Sequence, residues 1–265
     1  MLASGGRVAH AGERDVRPNK SPTRQESRLV KTLDIDHLDI DGEGAKFESL
    51  EGKRVGRLVV HMHRSDEAKF IVSCKSVDWL EIWGWKEPDL ASLQGLPVRY
   101  LRLIRGRQTS VKGLNTRRLR QVWAHSCGKL KELCIPRLPA LWLWGCNNFD
   151  LDSLDSVRGL SVLDIGPRRE IRSLAFVSRC RFLKCLMIDT NSWKTKDFTP
   201  LARARALELV GLSGTRLPNL EAVSKAKPEL FIGMNAADYF IQGGRRMTKA
   251  DYLKRRRAFN RKYGI

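Results

Sequence analysis

The stretch LPALWLWGCNNF, residues 138–149, sets Leu141 and Leu143 on either side of Trp142 and follows them with a Gly-Cys-Asn-Asn turn. The same apolar doublet returns as Leu101 and Leu103 in LQGLPVRYLRLIRG (93–106) and as Leu186 and Ile188 in LKCLMIDTNSW (183–193). Along the whole chain, doublets begin at Leu38, Leu58, Leu80, Leu101, Val122, Leu141, Leu163, Leu186, Leu207 and Leu230. Their second members are Ile40, Val60, Ile82, Leu103, Ala124, Leu143, Ile165, Ile188, Leu209 and Ile232. The intervals run from 19 to 23 residues, and a fixed period of this size marks a solenoid. One unit cannot bury its apolar face alone, so the units must stack.

Both members of a doublet point the same way on a strand, which makes each doublet an inward-facing strand. About ten residues later comes a second apolar set spaced by three. Leu90, Leu93 and Leu96 form one such set, and Ile171, Leu174 and Val177 another. That spacing suits a short helix or 3₁₀ turn. Each unit therefore reads as strand, turn and short helical return. The weakest doublet, Val122 and Ala124, competes with LKELCI at 130–135.

The pattern resembles the leucine-rich repeat family. DLASLQGLP (89–97), DSLDSVRGL (152–160) and DFTPLARARAL (197–207) are similar to its short, bacterial internalin-type variety. The resemblance implies an α/β solenoid with a parallel β-sheet on the concave side and short helices or 3₁₀ turns on the convex side. It also implies an Asn or Cys five residues after the first leucine, where the side chain satisfies backbone groups of the turn. Asn191 and Cys146 fit that position; Trp85, Gly106, Arg168 and Leu212 depart from it. The expected layout is a basic, disordered segment over 1–28, about ten repeats over 29–235, and a basic, helical tail over 236–265.

Residues flanking each doublet should face outward. Five of the seven tryptophans fall there, as Trp79, Trp83, Trp123, Trp142 and Trp144, together with Tyr100. Glu81, Arg102 and Asp164 share the face, as do Asp39, Asp41, Asp189, Glu208 and Glu229. Exposed aromatic clusters mark interaction surfaces, and Trp and Tyr dominate binding hot spots. The expected site is thus Trp79, Glu81, Trp83, Tyr100, Arg102, Trp123, Trp142, Trp144 and Asp164, gripping an unidentified protein, with the acids orienting a basic element of it. Two other readings stand beside this one. A terminal arm folds back over the rings, or the register is off by one. A slip would expose Leu80, Ile82, Leu101, Leu103, Leu141 and Leu143, which is worse.

The formal charge of +20 favours an acidic partner such as nucleic acid, an anionic surface or an acidic protein. Arg105, Arg107, Lys112, Arg117, Arg118 and Arg120 recur at loops, as do Arg168, Arg169, Arg172, Arg179, Arg181 and Lys184, and would form a stripe along one edge. The tail adds nine Lys or Arg between Arg245 and Lys262, among them Arg246, Arg255, Arg256 and Arg257, against the single acid Asp251. Thr248 would cap its helix, with Asp251 at the third position. Tyr252, Phe259 and Tyr263 are interleaved with the charges. This tail either caps the open end of the solenoid or binds nucleic acid or a membrane surface. The alternative function is therefore an RNA- or ribonucleoprotein-associated role carried by the loops and tail.

No P-loop, G-x-S-x-G, H-E-x-x-H or dinucleotide fingerprint occurs, so no catalytic residue, cofactor or metal is expected. His61 and His63 share a strand face without a third ligand, and Cys127 and Cys134 near His125 are expected in repeat turns. Six cysteines without a C-x-x-C pair read as reduced, mostly buried thiols. With no long apolar run and no apolar core near the N-terminus, the expected location is the cytoplasm.

Overall fold

The computed structural model of the protein describes residues 34–41, 50–62, 68–214, 220–234 and 239–263. The expected segment 1–28 and His63 lie outside them. Among the described residues twelve strands form one sheet in strictly sequential order. They are β1 Ile35–Asp41, β2 Arg54–His61, β3 Ser76–Trp83, β4 Val98–Ile104, β5 Gln121–His125, β6 Ala140–Trp144, β7 Val162–Arg168, β8 Cys185–Thr190, β9 Leu209–Gly214, β10 Phe231–Met234, β11 Tyr239–Gln242 and β12 Arg245–Met247. Strands β1 to β10 pair in parallel, and β10, β11 and β12 pair antiparallel. This is an α/β solenoid with one parallel strand per repeat, the architecture expected of leucine-rich repeats.

The returns are short. Five-residue helices span α1 Ala68–Val72, α2 Ala175–Arg179 and α3 Thr199–Arg203; α4 spans Glu221–Ala226. The 3₁₀ turns Ala91–Leu93 and Leu151–Ser156 serve two other repeats. The returns after β4 and β5 are irregular, and the second of them absorbs LKELCI, burying Leu130, Leu133 and Ile135.

The inward row begins Leu38, Leu58, Leu80, Leu101, Val122, Leu141, Leu163 and Leu186 and continues with Val210 and Ile232. The last two repeats correct the sequence phase. Their doublets are Val210–Leu212 and Ile232–Met234, not Leu207–Leu209 and Leu230–Ile232. Leu207 is buried, but it fills a third inward position three residues before the doublet. Val55, Val77, Val98, Leu119, Leu138, Leu160 and Leu183 occupy that position elsewhere and are all buried. The outward residues of β9 are accordingly Leu209, Gly211 and Ser213, where Ala206, Glu208 and Val210 were expected. Each fully buried Leu, Ile or Val of these rows contributes about 1.5–3 kcal/mol.

The turn position five residues after the doublet's start also differs from expectation. Cys127 occupies it as Cys146 does: its thiol lies 3.6 Å from the carbonyl oxygens of Leu103 and His125, while that of Cys146 lies 3.4 Å from Ala124 O. Gly106 leaves the space filled by buried Gln108, whose Nε2 donates to Cys127 Sγ at 3.5 Å. The Trp85 indole donates to Asp89 O and the Arg168 guanidinium to Phe149 O. Asn191 is exposed; the register shifts after Ile165 so that Arg168 pairs with Thr190, whose buried hydroxyl donates to the carbonyl oxygens of Arg168 and Ser192.

The boundary at residue 235 falls inside the sheet, since β11 and β12 close its last parallel strand. The chain then enters α5, Lys249–Tyr263. Thr248 caps it: the Asp251 N–H donates to Thr248 Oγ1, whose hydroxyl donates back to Asp251 Oδ2 at 2.7 Å. The helix lies on the sheet face turned away from the returns. The Tyr252 ring stacks on Phe231 at 5.3 Å and on Phe240 at 4.4 Å. Tyr252 and Phe259 join a second apolar cluster made of outward residues Ala140, Val162, Cys185, Leu209 and Phe231. A Cβ at Gly233 would sit 2.5 Å from the Tyr252 ring, so only glycine admits this docking.

Gly233→Ala should therefore lever α5 off the sheet, at a cost of about 1–3 kcal/mol, while leaving the repeats folded. Limited trypsin digestion checks this. Cleavage within residues 249–263 should accelerate while the rest resists, and an unchanged cleavage rate would contradict the docking.

Candidate functional site

The outward residues form three rows across the strands. The first runs His37, Arg57, Trp79, Tyr100, Gln121, Ala140, Val162, Cys185, Leu209 and Phe231. The second runs Asp39, Val59, Glu81, Arg102, Trp123, Trp142, Asp164, Met187, Gly211 and Gly233. The third passes through His61, Trp83, Ile104, His125 and Trp144. From Ala140 onward the first row is wholly apolar, and there α5 covers it. The face thus divides into a half under α5 and an aromatic half over β2 to β6.

The rings of the aromatic half pack on one another. Trp123 stacks on Trp142 with centroids 4.5 Å apart, and Trp79 leans on Trp123 at 5.1 Å and on Tyr100 at 5.9 Å. Residues two strands apart therefore meet across β4. His61 stacks on Trp83 at 5.4 Å, and His125 meets Trp144 edge-on. Arg57 lies 5.8 Å from the Trp79 centroid and Arg99 lies 5.1 Å from that of Tyr100, both over the rings. Among the tryptophans of this half, Trp144 is the most exposed, at 44%. Trp142 also packs against the edge of the cluster under α5.

Glu81 departs from expectation. Its side chain is only 5% exposed and does not face a partner. Arg57 approaches its Oε2 at 3.3 Å, Arg102 approaches the same oxygen at 3.5 Å, and the Trp83 indole donates to Oε1 at 2.8 Å. The two arginine side chains, 47% and 40% exposed, are what the surface presents. A buried carboxylate is tolerable only when its charge is paired and its lone pairs are used, and here both conditions are met.

Asp164 stands where the two halves meet and accepts from the Trp144 indole at 3.2 Å. Burial pushes its carboxyl up to about 6, against the pull of that indole N–H and of Arg256 from α5, with Asp189 adding to the rise. Arg256 therefore faces the sheet, whereas Arg255 lies over the Phe231 ring at 5.5 Å and Lys262 pairs with Glu208 at 3.2 Å. Lys254, Arg255, Arg257 and Arg261 are exposed on the helix.

The loop arginines do not make one stripe. Arg105, Arg107, Arg168 and Arg169 stand at the ends of strands or just after them, but Arg117, Arg118, Arg120, Arg181 and Lys184 precede them, on the opposite edge. Arg118 pairs with Asp78 at 3.6 Å, and Arg179 pairs with Asp152 and Asp155. Arg245 and Arg246 are exposed on β12. All six cysteines are free and only Cys134 is exposed; burial raises the thiols of Cys74 and Cys180 to about 11 and of Cys185 to about 12. Among the described residues no group of three His, Cys, Asp or Glu is placed to hold a metal, and no helix is long and apolar enough to cross a membrane.

No protein-family model matches the chain, and no curated protein matches it. Among solved structures, it is similar to the functional domain of InlJ from Listeria monocytogenes, described as including a cysteine ladder. That match has a TM-score of 0.43 and 18% identity, over 69% of this chain and 42% of that one. It is also similar to an internalin, InlF, from Listeria monocytogenes str. 4b F2365, with a TM-score of 0.41 and 15% identity, over 68% of this chain and 59% of that one. The chain thus spans less than two thirds of either internalin chain.

The raised Asp164 carboxyl sets a pH signature. Between about pH 4 and 6 the folded chain holds a proton that the unfolded chain releases. The group's contribution to stability is therefore highest below that window and falls as pH rises through it. Trp144 emission should titrate with a midpoint of about 6, and Asp164→Asn should abolish the step. A wild-type emission that is flat across this range would refute the assignment.

Proposed function

We propose that the chain is a non-catalytic protein-recognition module that takes its partner on the aromatic half of the outer sheet face. The observation that carries this reading is the contiguous ladder of Trp79, Tyr100, Trp123 and Trp142 on a face that α5 leaves half free. Trp83 and Trp144 flank the ladder, Arg102 stands beside it over the buried Glu81, and Asp164 closes its far end. Pre-stacked aromatic side chains lose little rotamer freedom on binding and bury large areas, the features of hot-spot residues. Six free thiols suit a reducing compartment, which favours the cytoplasm.

A second reading has its own support. Exposed arginines line both strand edges and the solvent side of α5, an arrangement suited to phosphate backbones. In that reading RNA or a ribonucleoprotein is held by Arg105, Arg107, Arg117, Arg118, Arg245, Arg246, Arg255 and Arg257. Arg256, turned toward Asp164, contributes less than expected.

A tagged pull-down from native lysate, with and without nuclease, separates the two. A protein partner should survive nuclease and be lost with Trp123→Ala/Trp142→Ala, each truncation costing about 2 kcal/mol or more. Partners that vanish on nuclease treatment, or that persist with the double variant, would reject the first reading.

A further inference from the structure

The hydrogen-bonding inventory of the aromatic half specifies what kind of protein segment it would take. Its donors exceed its acceptors. Arg57, Arg99 and Arg102 supply guanidinium N–H groups, and the Trp79 indole N–H is buried with no acceptor among the described residues. The carboxylate among them, Glu81, has both oxygens already engaged by Arg57, Arg102 and Trp83. Arginine offers five donors and no acceptor, so two guanidiniums around one carboxylate keep N–H groups to spare. The neighbouring helix α5 presents Lys254, Arg257 and Arg261 to solvent. A ligand matched to this surface brings acceptors and negative charge.

The rings decide between the two anionic macromolecules. Trp123 is covered on one side by Trp142 and on the other by Trp79, while Trp79 is also flanked by Tyr100 and Arg57. Ring faces spent on each other are not free platforms for nucleic-acid bases, which need an open π-face. What such a stack offers is ring edges, the positive rim of the aromatic quadrupole. Carboxylates and aliphatic side chains suit edges.

Resting on the reading of this face as a protein-recognition surface, we propose that it binds an acidic protein segment carrying large apolar side chains. Its carboxylates pair with Arg57, Arg99 and Arg102, and its apolar side chains lie along the edges of the Trp79–Trp123–Trp142 stack. This reverses the polarity expected from the outward acids alone.

The test pans a displayed library of random dodecapeptides on the full chain, with counter-selection on Trp123→Ala/Trp142→Ala. Recovered peptides should be enriched in Asp and Glu together with Leu, Phe or Trp. Their synthetic versions should bind Arg57→Gln/Glu81→Gln/Arg102→Gln about tenfold more weakly, with the loss shrinking at high salt. That variant removes the exposed charge without stranding a buried one, and its thermal unfolding should stay cooperative. Basic or uncharged winners that still need the tryptophans would overturn the acidic-segment proposal and leave protein recognition standing. No enrichment over the double variant would overturn both. So would oligothymidine that binds the wild type through Trp123 and Trp142 and displaces the peptides.

Discussion

Everything in this structure depends on each repeat burying three inward apolar positions against the next repeat. A strand such as Leu138–Leu141–Leu143 has no cover of its own; it is closed by Leu119–Val122–Ala124 on one side and Leu160–Leu163–Ile165 on the other. The core therefore grows along the sheet and needs no central mass. The same stacking brings the turns into line. There Gln108, Cys127, Cys146, Arg168 and Thr190 can each serve backbone carbonyls or one another. Chemically different side chains fill equivalent positions because the requirement is for a donor or a space-filling group near the carbonyls, and Gly106 can delegate it to Gln108.

A stack with unlike ends must finish its last face differently. Here the antiparallel pair β11–β12 closes the sheet, and α5 returns across the outer face as far as the strands whose outward residues are apolar. Small residues in the second row make this possible. Gly233 leaves room for the Tyr252 ring, and Gly211 lies 3.7 Å, measured from a would-be Cβ, from its hydroxyl. Toward β6 the row changes to Trp142 and Trp123, which leave no such recess. The division of the face is thus set by side-chain size, repeat by repeat.

The period and the inward parity were legible for β1 to β8 because Leu-x-Leu pairs alternate with polar or aromatic residues there. They failed at β9 because LELVGL contains two overlapping candidates, Leu207–Leu209 and Val210–Leu212. The buried position three residues upstream, filled by Leu183 in the preceding repeat and Leu207 in this one, was the signal that separates them. With that phase corrected, Ala140, Val162, Cys185, Leu209 and Phe231 would have read as an apolar row on a nominally wet face. That row announces a cover. Which segment supplies the cover was not readable, since the contact between Tyr252 and Gly233 depends on the hairpin that reverses the chain. The aromatic cluster was legible residue by residue. Its internal stacking was not, because Trp79 and Trp123 are two strands apart and meet only through the lean of their side chains.

Charge is where counting residues misleads most. The outward acids read as the recognition chemistry of the face, yet four of them are engaged within the fold, while Asp39 stays 61% exposed beside His61. Glu81 is enclosed by Arg57, Arg102 and Trp83; Asp164 sits between Trp144 and Arg256; Asp189 accepts from Ser213 at 2.7 Å; Glu208 pairs with Lys262. Each of these acids is spent holding an arginine, an indole, a hydroxyl or the terminal helix in place. A carboxylate that orients two guanidiniums from beneath leaves the surface cationic, whatever the sum of charges along the strand. The net positive charge of the chain and the local charge of its aromatic face therefore agree in sign, and the buried acid is the reason the exposed cations point outward.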